Sequence, residues 1–189
     1  MQPSETHPFF PFLPKGARIL MLGTFPPASH RWSMPFYYPN FQNDMWRIMG
    51  VVFFSDKNHF LLEDTKRFDQ KRIEHFLTQE GIAMYDTAFR IVRTRNTASD
   101  KDLQVLEEAD IESLLRKLPL CNTVIAAGQL ATTILCRRLS AAEPKVGRYT
   151  EVLFEGRLLR IFRMPSSSRA YPLSLERKAE EYAKALLCR

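Results

Sequence analysis

RILMLGTFPPASHRWSMPFYYPNFQNDMW, residues 18–46, decides how the rest of the chain is read. Its first six residues form a short apolar run closed by Gly23, the pattern of a buried strand that opens into a loop. The continuation is braced by prolines and rich in aromatic rings. From residue 42 the pattern changes, because QNDMWRIMGVVFF places Met45, Trp46, Met49 and Val52 at helical spacing, with Asn43 or Asp44 available as a cap. The stretch therefore joins a strand to a helix through a long, stiff connection that carries more chemistry than a connection needs.

The same alternation continues outward. EDTKRFDQKRIEHFLTQ, 63–79, puts Phe68, Ile73, Phe76 and Leu77 near one face of a charged helix, and GIAMYDTAFRIV, 81–92, reads as a second strand. Residues 93–102 hold small polar groups suited to a loop, with Ser99 or Asp100 able to cap the next element, a helix over about 107–117. CNTVIAAG, 121–128, is another apolar strand closed by glycine, followed by a helix over 129–139. Residues 140–165 read as a linker, an edge strand, a hairpin turn at Glu155-Gly156-Arg157 and a last buried strand, LLRIF. SSSRAYP, 166–172, is the final loop, and LSLERKAEEYAKALL, 173–187, is the clearest helix.

This order predicts a three-layer α/β/α sandwich with a mostly parallel central sheet of about four strands. A single domain spanning 1–189 is expected, with residues 1–17 as a proline-rich arm whose Phe9, Phe10, Phe12 and Leu13 pack on the body. In such a sheet the loops GTFPP, TRNTASD, AAGQ and MPSSSR share one edge, where open α/β folds bind ligands.

Composition narrows the classes. The chain is 45% hydrophobic and 25% charged, and it has no apolar run near the roughly 20 residues that cross a bilayer. Prolines at 3, 8, 11 and 14 interrupt any secretory leader, and Cys121, Cys136 and Cys188 form no CxxC pair, so reduced thiols and a cytoplasmic setting are expected, nucleoid-associated in a prokaryote. A formal charge of +6 favours an anionic partner such as nucleic acid. Dinucleotide and triphosphate loops, the GxSxG elbow and HExxH are all absent, and the histidines show no metal-ligand spacing. What remains is a set of polar groups on loops, Asn40, Gln42, Asn43, Ser99, Asp100 and Ser166 to Arg169, beside rings that can stack on a flat ligand. A hydrolase reading would rest on His30 with Ser29 or Ser33, a pair without a visible partner.

These pieces resemble, in order, the uracil-DNA glycosylase superfamily, closest to the branch of mismatch-specific uracil glycosylases and hypoxanthine-DNA glycosylases. The carrying residues are Gly23 to Pro27, Tyr37 and Tyr38, Asn43 to Trp46, the Ser99-Asp100 pair, VIAAGQLA, and RMPSSSRAYPLSLERKAEEYAKAL. The resemblance implies a monofunctional enzyme that hydrolyses the N-glycosidic bond of a deaminated base, uracil or hypoxanthine, flipped out of double-stranded DNA. It implies no cofactor, no metal and no membrane, and a monomer is the default.

By the same resemblance the base pocket comprises Gly23, Thr24, Phe25, Pro26, Tyr38 and Asn43, with Tyr38 stacking on the base. The branches differ in where the activating asparagine sits. Phe25 occupies one such position and cannot orient water, so the resemblance assigns Asn43 to positioning the water or to recognising the base, with Ser166 and the Thr24 N–H as donors to the departing base. Ser99, Ser167, Ser168 and Arg169 would meet DNA phosphates, and Ala170 or Tyr171 would supply a wedge. Phe25 and Pro27 depart from the common motif, and the alternative they leave open is a nucleic-acid-binding homologue that has lost excision.

Overall fold

The computed structural model describes residues 3–95, 97 and 99–187, in which eight strands and five α-helices follow one another. The chain runs through β1 (Ser4–Thr6), β2 (Ile19–Gly23), α1 (Met45–Phe54), α2 (Gln70–Glu80), β3 (Ile82–Asp86), β4 (Ala88–Arg93) and β5 (Leu103–Glu108). It continues through α3 (Ile111–Lys117), β6 (Thr123–Ala127), α4 (Gln129–Arg138), the hairpin β7 (Arg148–Phe154) and β8 (Arg157–Met164), and α5 (Leu175–Leu186). No helix among the described residues is long and apolar enough to cross a membrane.

The central sheet has the order β3-β2-β6-β8-β7. Four strands are parallel and β7 pairs antiparallel with β8 at the edge, so the predicted parallel sheet is present with its hairpin edge added. Every residue of β2, β3 and β6 is buried, which requires cover on both faces and makes the domain a three-layer sandwich. The apolar runs that end in glycine are these doubly buried strands.

Four expectations needed correction. GIAMYDTAFRIV is two strands of different sheets, broken at the buried Thr87, whose N–H and Oγ1 both donate to the Gly23 carbonyl at 2.9 and 3.1 Å. Residues 103–108 are a strand, which pairs with β4 in a second, antiparallel sheet of order β1-β4-β5, so α3 begins only at Ile111 behind an Asp110 cap. Helix α2 likewise starts late, at Gln70, because Asp69 accepts the Arg72 N–H and ends the preceding turn. In the N-terminal arm Phe9, Phe12 and Leu13 pack on the core as expected, whereas Phe10 is 93% exposed. Its carbonyl, rather than its ring, is used, accepting the Tyr37 hydroxyl at 2.8 Å.

Helices α1 and α5 pack against each other, and a charge pair is buried between them. The Lys178 side chain is 1% exposed, and its Nζ donates to Asp44 Oδ2 at 3.0 Å and to the Ser168 carbonyl at 2.8 Å. Arg169 Nε reaches the other oxygen, Asp44 Oδ1, also at 3.0 Å. A backbone bond from Asp44 N–H to the Ser167 carbonyl completes the joint, and Tyr182 of α5 donates to the Pro165 carbonyl at 2.8 Å. The loop after β8 is thus clamped to the start of α1.

Removing one partner of such a pair leaves a buried charge without compensation, a larger loss than the pair contributes when intact. Lys178→Met should destabilise the fold by about 3 kcal/mol, and combining it with Asp44→Asn should recover a substantial part. Urea unfolding followed by circular dichroism measures both.

Candidate active site

Counting only the parallel strands, the chain turns from one side of β2 to the other between β3 and β6. That reversal parts the loops after β2 and β6 and creates the crevice in which α/β sheets hold ligands. A cavity of about 1050 Å³ opens there. It is lined by residues 23–27 after β2, by Thr97, Ser99 and Asp100 after β4, by Gly128 and Gln129 after β6, and by residues 165–172 after β8. The four loops expected at one sheet edge do meet.

At the floor, Gly23 lies beside Asp86 in the parallel register. A Cβ on Gly23 would lie 2.5 Å from Asp86 Oδ1 and 3.2 Å from the Tyr38 hydroxyl, so only glycine leaves both groups in place. Asp86 is held from behind by the N-terminal arm. His7 Nε2 donates to Asp86 Oδ2 at 2.9 Å, since a carboxylate oxygen accepts, while Nδ1 lies 3.0 Å from the Phe9 carbonyl and 3.2 Å from the Phe9 N–H. Asp86 Oδ1 has no hydrogen-bond partner among the described residues.

Tyr38 takes a left-handed conformation at φ 48°, sparsely populated for a residue with a side chain and costing about 1 kcal/mol. The turn is secured by the next helix, where the Trp46 indole donates to the Tyr37 carbonyl at 3.1 Å. That bond is the physical content of the spacing from Tyr38 through Asn43 to Trp46. The Tyr38 hydroxyl is buried without a hydrogen-bond partner among the described residues. Burial, with Tyr182, Asp86 and Asp100 adding to it, holds the phenol protonated far above its ordinary range. Tyr37 is a core residue at 1% exposure, leaving Tyr38 as the ring that borders the cavity.

Thr24, buried beside Gly23, donates its hydroxyl to Asp100 Oδ2 at 2.7 Å. Burial raises the Asp100 pKa, the Thr24 bond opposes that, Asp86 adds to it and Arg93 opposes it, for a net shift upward. Phe25 is half-buried in the cavity wall with its ring edge-on to His7 at 5.3 Å, and Pro26 is buried with its carbonyl accepting from Arg93 at 3.1 Å. Asp86, Asp100 and His7 were not among the predicted pocket residues. Asp100 was named as a cap, among the polar loop groups at the sheet edge and in the Ser-Asp pair, without a place in the base pocket, and nothing local to His7 shows a partner 79 residues away.

Asn43 stands at the start of α1. Its Oδ1 accepts the Met45 N–H at 2.9 Å, and since that partner is a donor, the atom facing it must be oxygen. Its Nδ2 is the amide's remaining group and has no hydrogen-bond partner among the described residues. Backbone pairing sets Asn43 opposite Ser168. Ser166 Oγ accepts the Ser168 N–H at 3.2 Å and retains its own proton for donation, and Ser168 Oγ in turn accepts the Ala170 N–H at 3.2 Å.

Two of the residues expected at phosphates sit differently. Ser167 is 3% exposed, its carbonyl engaged by Asp44, so it belongs to the pocket wall and not to an outer DNA-facing surface. Arg169 is half exposed, and its Nε is engaged by Asp44, so it braces the loop as well as contributing charge at the rim. Ser99 and Ala170 are exposed and Tyr171 is half-buried, all at the mouth. Arg31, Lys101 and Arg163 also line the cavity, giving its mouth a positive character that the linear sequence does not show. His30 and Ser33 do not line it, and Ser33 Oγ donates to the Pro39 carbonyl at 2.8 Å, so the hydrolase pairing is not formed.

Among the described residues no group of three or more His, Cys, Asp or Glu side chains is arranged to hold a metal ion. Cys121 and Cys136 are buried free thiols whose pKa burial pushes up to about 11, and Cys188 lies outside the described residues.

The fold is an open α/β sheet with a cavity at the edge where its parallel strands end, and comparison adds the fold's name. No family model and no curated protein sequence matches the chain. The solution structure of a putative uracil DNA glycosylase from Methanosarcina acetivorans matches it with a TM-score of 0.64, over 96% of this chain and 98% of that one, at 20% sequence identity. The chain has the uracil-DNA glycosylase fold.

The crowding over Gly23 can be tested directly. Gly23→Ala should displace Asp86 or Tyr38 and lower stability by about 1–3 kcal/mol, the cost of overpacking a dense site, as read from thermal or urea unfolding.

Proposed function

We propose that the protein is a monofunctional DNA glycosylase, hydrolysing the N-glycosidic bond of a deaminated base, uracil or hypoxanthine, flipped out of duplex DNA. The observation that carries this reading is the convergence of a flat ring, Tyr38, an amide donor, Asn43 Nδ2, and a hydroxyl, Ser166, on one cavity with a positive mouth. Uracil and hypoxanthine are planar and carry carbonyl oxygens that such donors can bind. Adenine and cytosine have amino groups where deamination leaves those carbonyls. The fold match supports the reading at the level of architecture.

Cleavage places positive charge on the deoxyribose and negative charge on the departing base. Donors already aimed at the base oxygen stabilise that charge without reorganising, which is where most of the catalytic effect of such sites resides. Asn43 suits this part better than it suits water activation, because its acceptor oxygen is engaged in starting helix α1. Tyr38 offers the stacking face, and Ser166 offers a second donor. Arg31, Lys101, Arg163 and the outer face of Arg169 attract phosphates, while Ser99, Ser168, Ala170 and Tyr171 lie where the strand would pass. A single flipped base calls for no twofold site, so the acting species is a monomer, placed in the cytoplasm.

Purified protein incubated with duplexes carrying one uracil or one hypoxanthine, then treated with alkali, should yield strand scission at the lesion. Asn43→Ala should lower the rate by about 100-fold or more. It also removes a helix cap, at a cost of about 1 kcal/mol. Asn43→Asp separates the two effects, since it keeps an oxygen for the Met45 N–H yet has no Nδ2, and should lose the activity while retaining the melting temperature. Tight duplex binding with no abasic product from any lesion would point instead to a binding protein of the same fold.

A further inference from the structure

Hydrolysis at C1′ calls for an acceptor oxygen in the cavity to orient the attacking water. Phe25 presents only carbon there, and Asn43 Oδ1 is held by the start of α1. An oxygen is nevertheless present, delivered by a different loop. Asp100 lines the same cavity, and its Oδ2 is fixed by the Thr24 hydroxyl at 2.7 Å, one residue from Phe25 in the chain. Its Oδ1 has no hydrogen-bond partner among the described residues. The backbone that carries it is itself held, because Asp102 N–H closes onto the Ser99 carbonyl at 3.1 Å and Thr97 Oγ1 binds the Asp102 carboxylate at 2.5 Å.

We propose that Asp100 is the carboxylate that orients the attacking water and accepts its proton, with Thr24 as its positioning residue. The assignment rests on the glycosylase reading of the cavity. In the step, the water oxygen bonds to C1′ while the C1′–N bond breaks and its electron pair leaves with the base. The water proton passes to Asp100 Oδ1. Before that transfer the carboxylate's negative charge also offsets the positive charge developing on the sugar.

Four groups face Asp100 from the elements around it: Thr24 and the Tyr38 hydroxyl from the connection after β2, Asp86 from β3 and Arg93 from β4, with Lys101 adjacent in the chain. Their net effect with burial is an upward pKa. The reacting form is the ionised one, so activity should fall as pH drops through a value above the ordinary aspartate pKa of about 4.

The test is single-turnover excision by the full chain on uracil and hypoxanthine duplexes across pH 4 to 9, with lesion-duplex affinity measured by fluorescence anisotropy. Asp100→Asn should lose about 100-fold or more in rate and lose the acid limb, while affinity stays within about threefold; Asp100→Glu should recover part of the rate. Thr24→Val keeps the carboxylate but removes the bond that lowers its pKa, and should move the acid limb to higher pH. A rate for Asp100→Asn within about threefold of the parent, with an unchanged limb, would overturn the assignment and leave the glycosylase reading standing. If Asp100→Asn does not fold, the Thr24→Val limb decides, and an unmoved limb overturns the proposal. If the parent protein excises no base at all, both readings fall.

Discussion

The buried pair between Asp44 and Lys178 holds the ends of the site together. Asp44 sits where the loop after β2 becomes helix α1, and Lys178 sits on the last helix, 134 residues later. Through Ser167, Ser168 and Arg169 the same cluster fixes the loop after β8. An ion pair in a dry interior contributes little net stability over an apolar one, yet it strongly penalises any arrangement in which the partners are apart. The pair therefore acts as a register pin. It ensures that Asn43 and Ser168 pair, and that Ser166 comes to the wall of the cavity that Tyr38 borders.

A second constraint works on the opposite wall. The carbonyl of Gly23 receives two bonds from Thr87, and that of Thr24 receives the Ala88 N–H, so the kink between β3 and β4 and the loop after β2 are one rigid unit. Strand β4 then leaves the central sheet and pairs with β1 and β5, carrying the connection that contains Asp100 back over the crevice. The antiparallel sheet is thus the device that returns a carboxylate to Thr24. The arm before β2 contributes by the same logic, since its pairing with β4 places His7 behind Asp86.

Among the described residues the Tyr38 hydroxyl is buried at this cavity without a hydrogen-bond partner, and Asp86, Asp100 and Asn43, each with one side-chain polar atom that makes no hydrogen bond to the described protein, line it too. Buried polar groups are usually paired, because leaving one unmade costs about 1–3 kcal/mol. A phenol donor, an amide donor and two carboxylate acceptors kept open together are what a planar ligand with carbonyl and N–H groups, plus a water, would satisfy. The left-handed backbone at Tyr38 belongs to the same pattern, strain retained where the chain must present a ring.

Much of the architecture was written locally. Short apolar runs ending at Gly23 and Gly128 read as doubly buried strands from their length and closing glycine, and the amphipathic run over 175–186 reads as a helix from its period. Gly23, Tyr38, Asn43 and Ser166 were singled out by a resemblance of ordered motifs and not by period or composition, and all four line the cavity. Strand β5 was not legible, since a strand exposed along much of its length is defined by its partner β4 and not by its own pattern. Nor were the sharing of Asp44 between Lys178 and Arg169, the burial of Ser167, or the places of Asp86, Asp100 and His7. By itself the sequence determined which segments form the sheet and which loops lie at its edge. Only the tertiary structure decided which carboxylates face the cavity, because that depends on desolvation and on hydrogen bonds between residues tens of positions apart, such as Thr24 with Asp100 and His7 with Asp86.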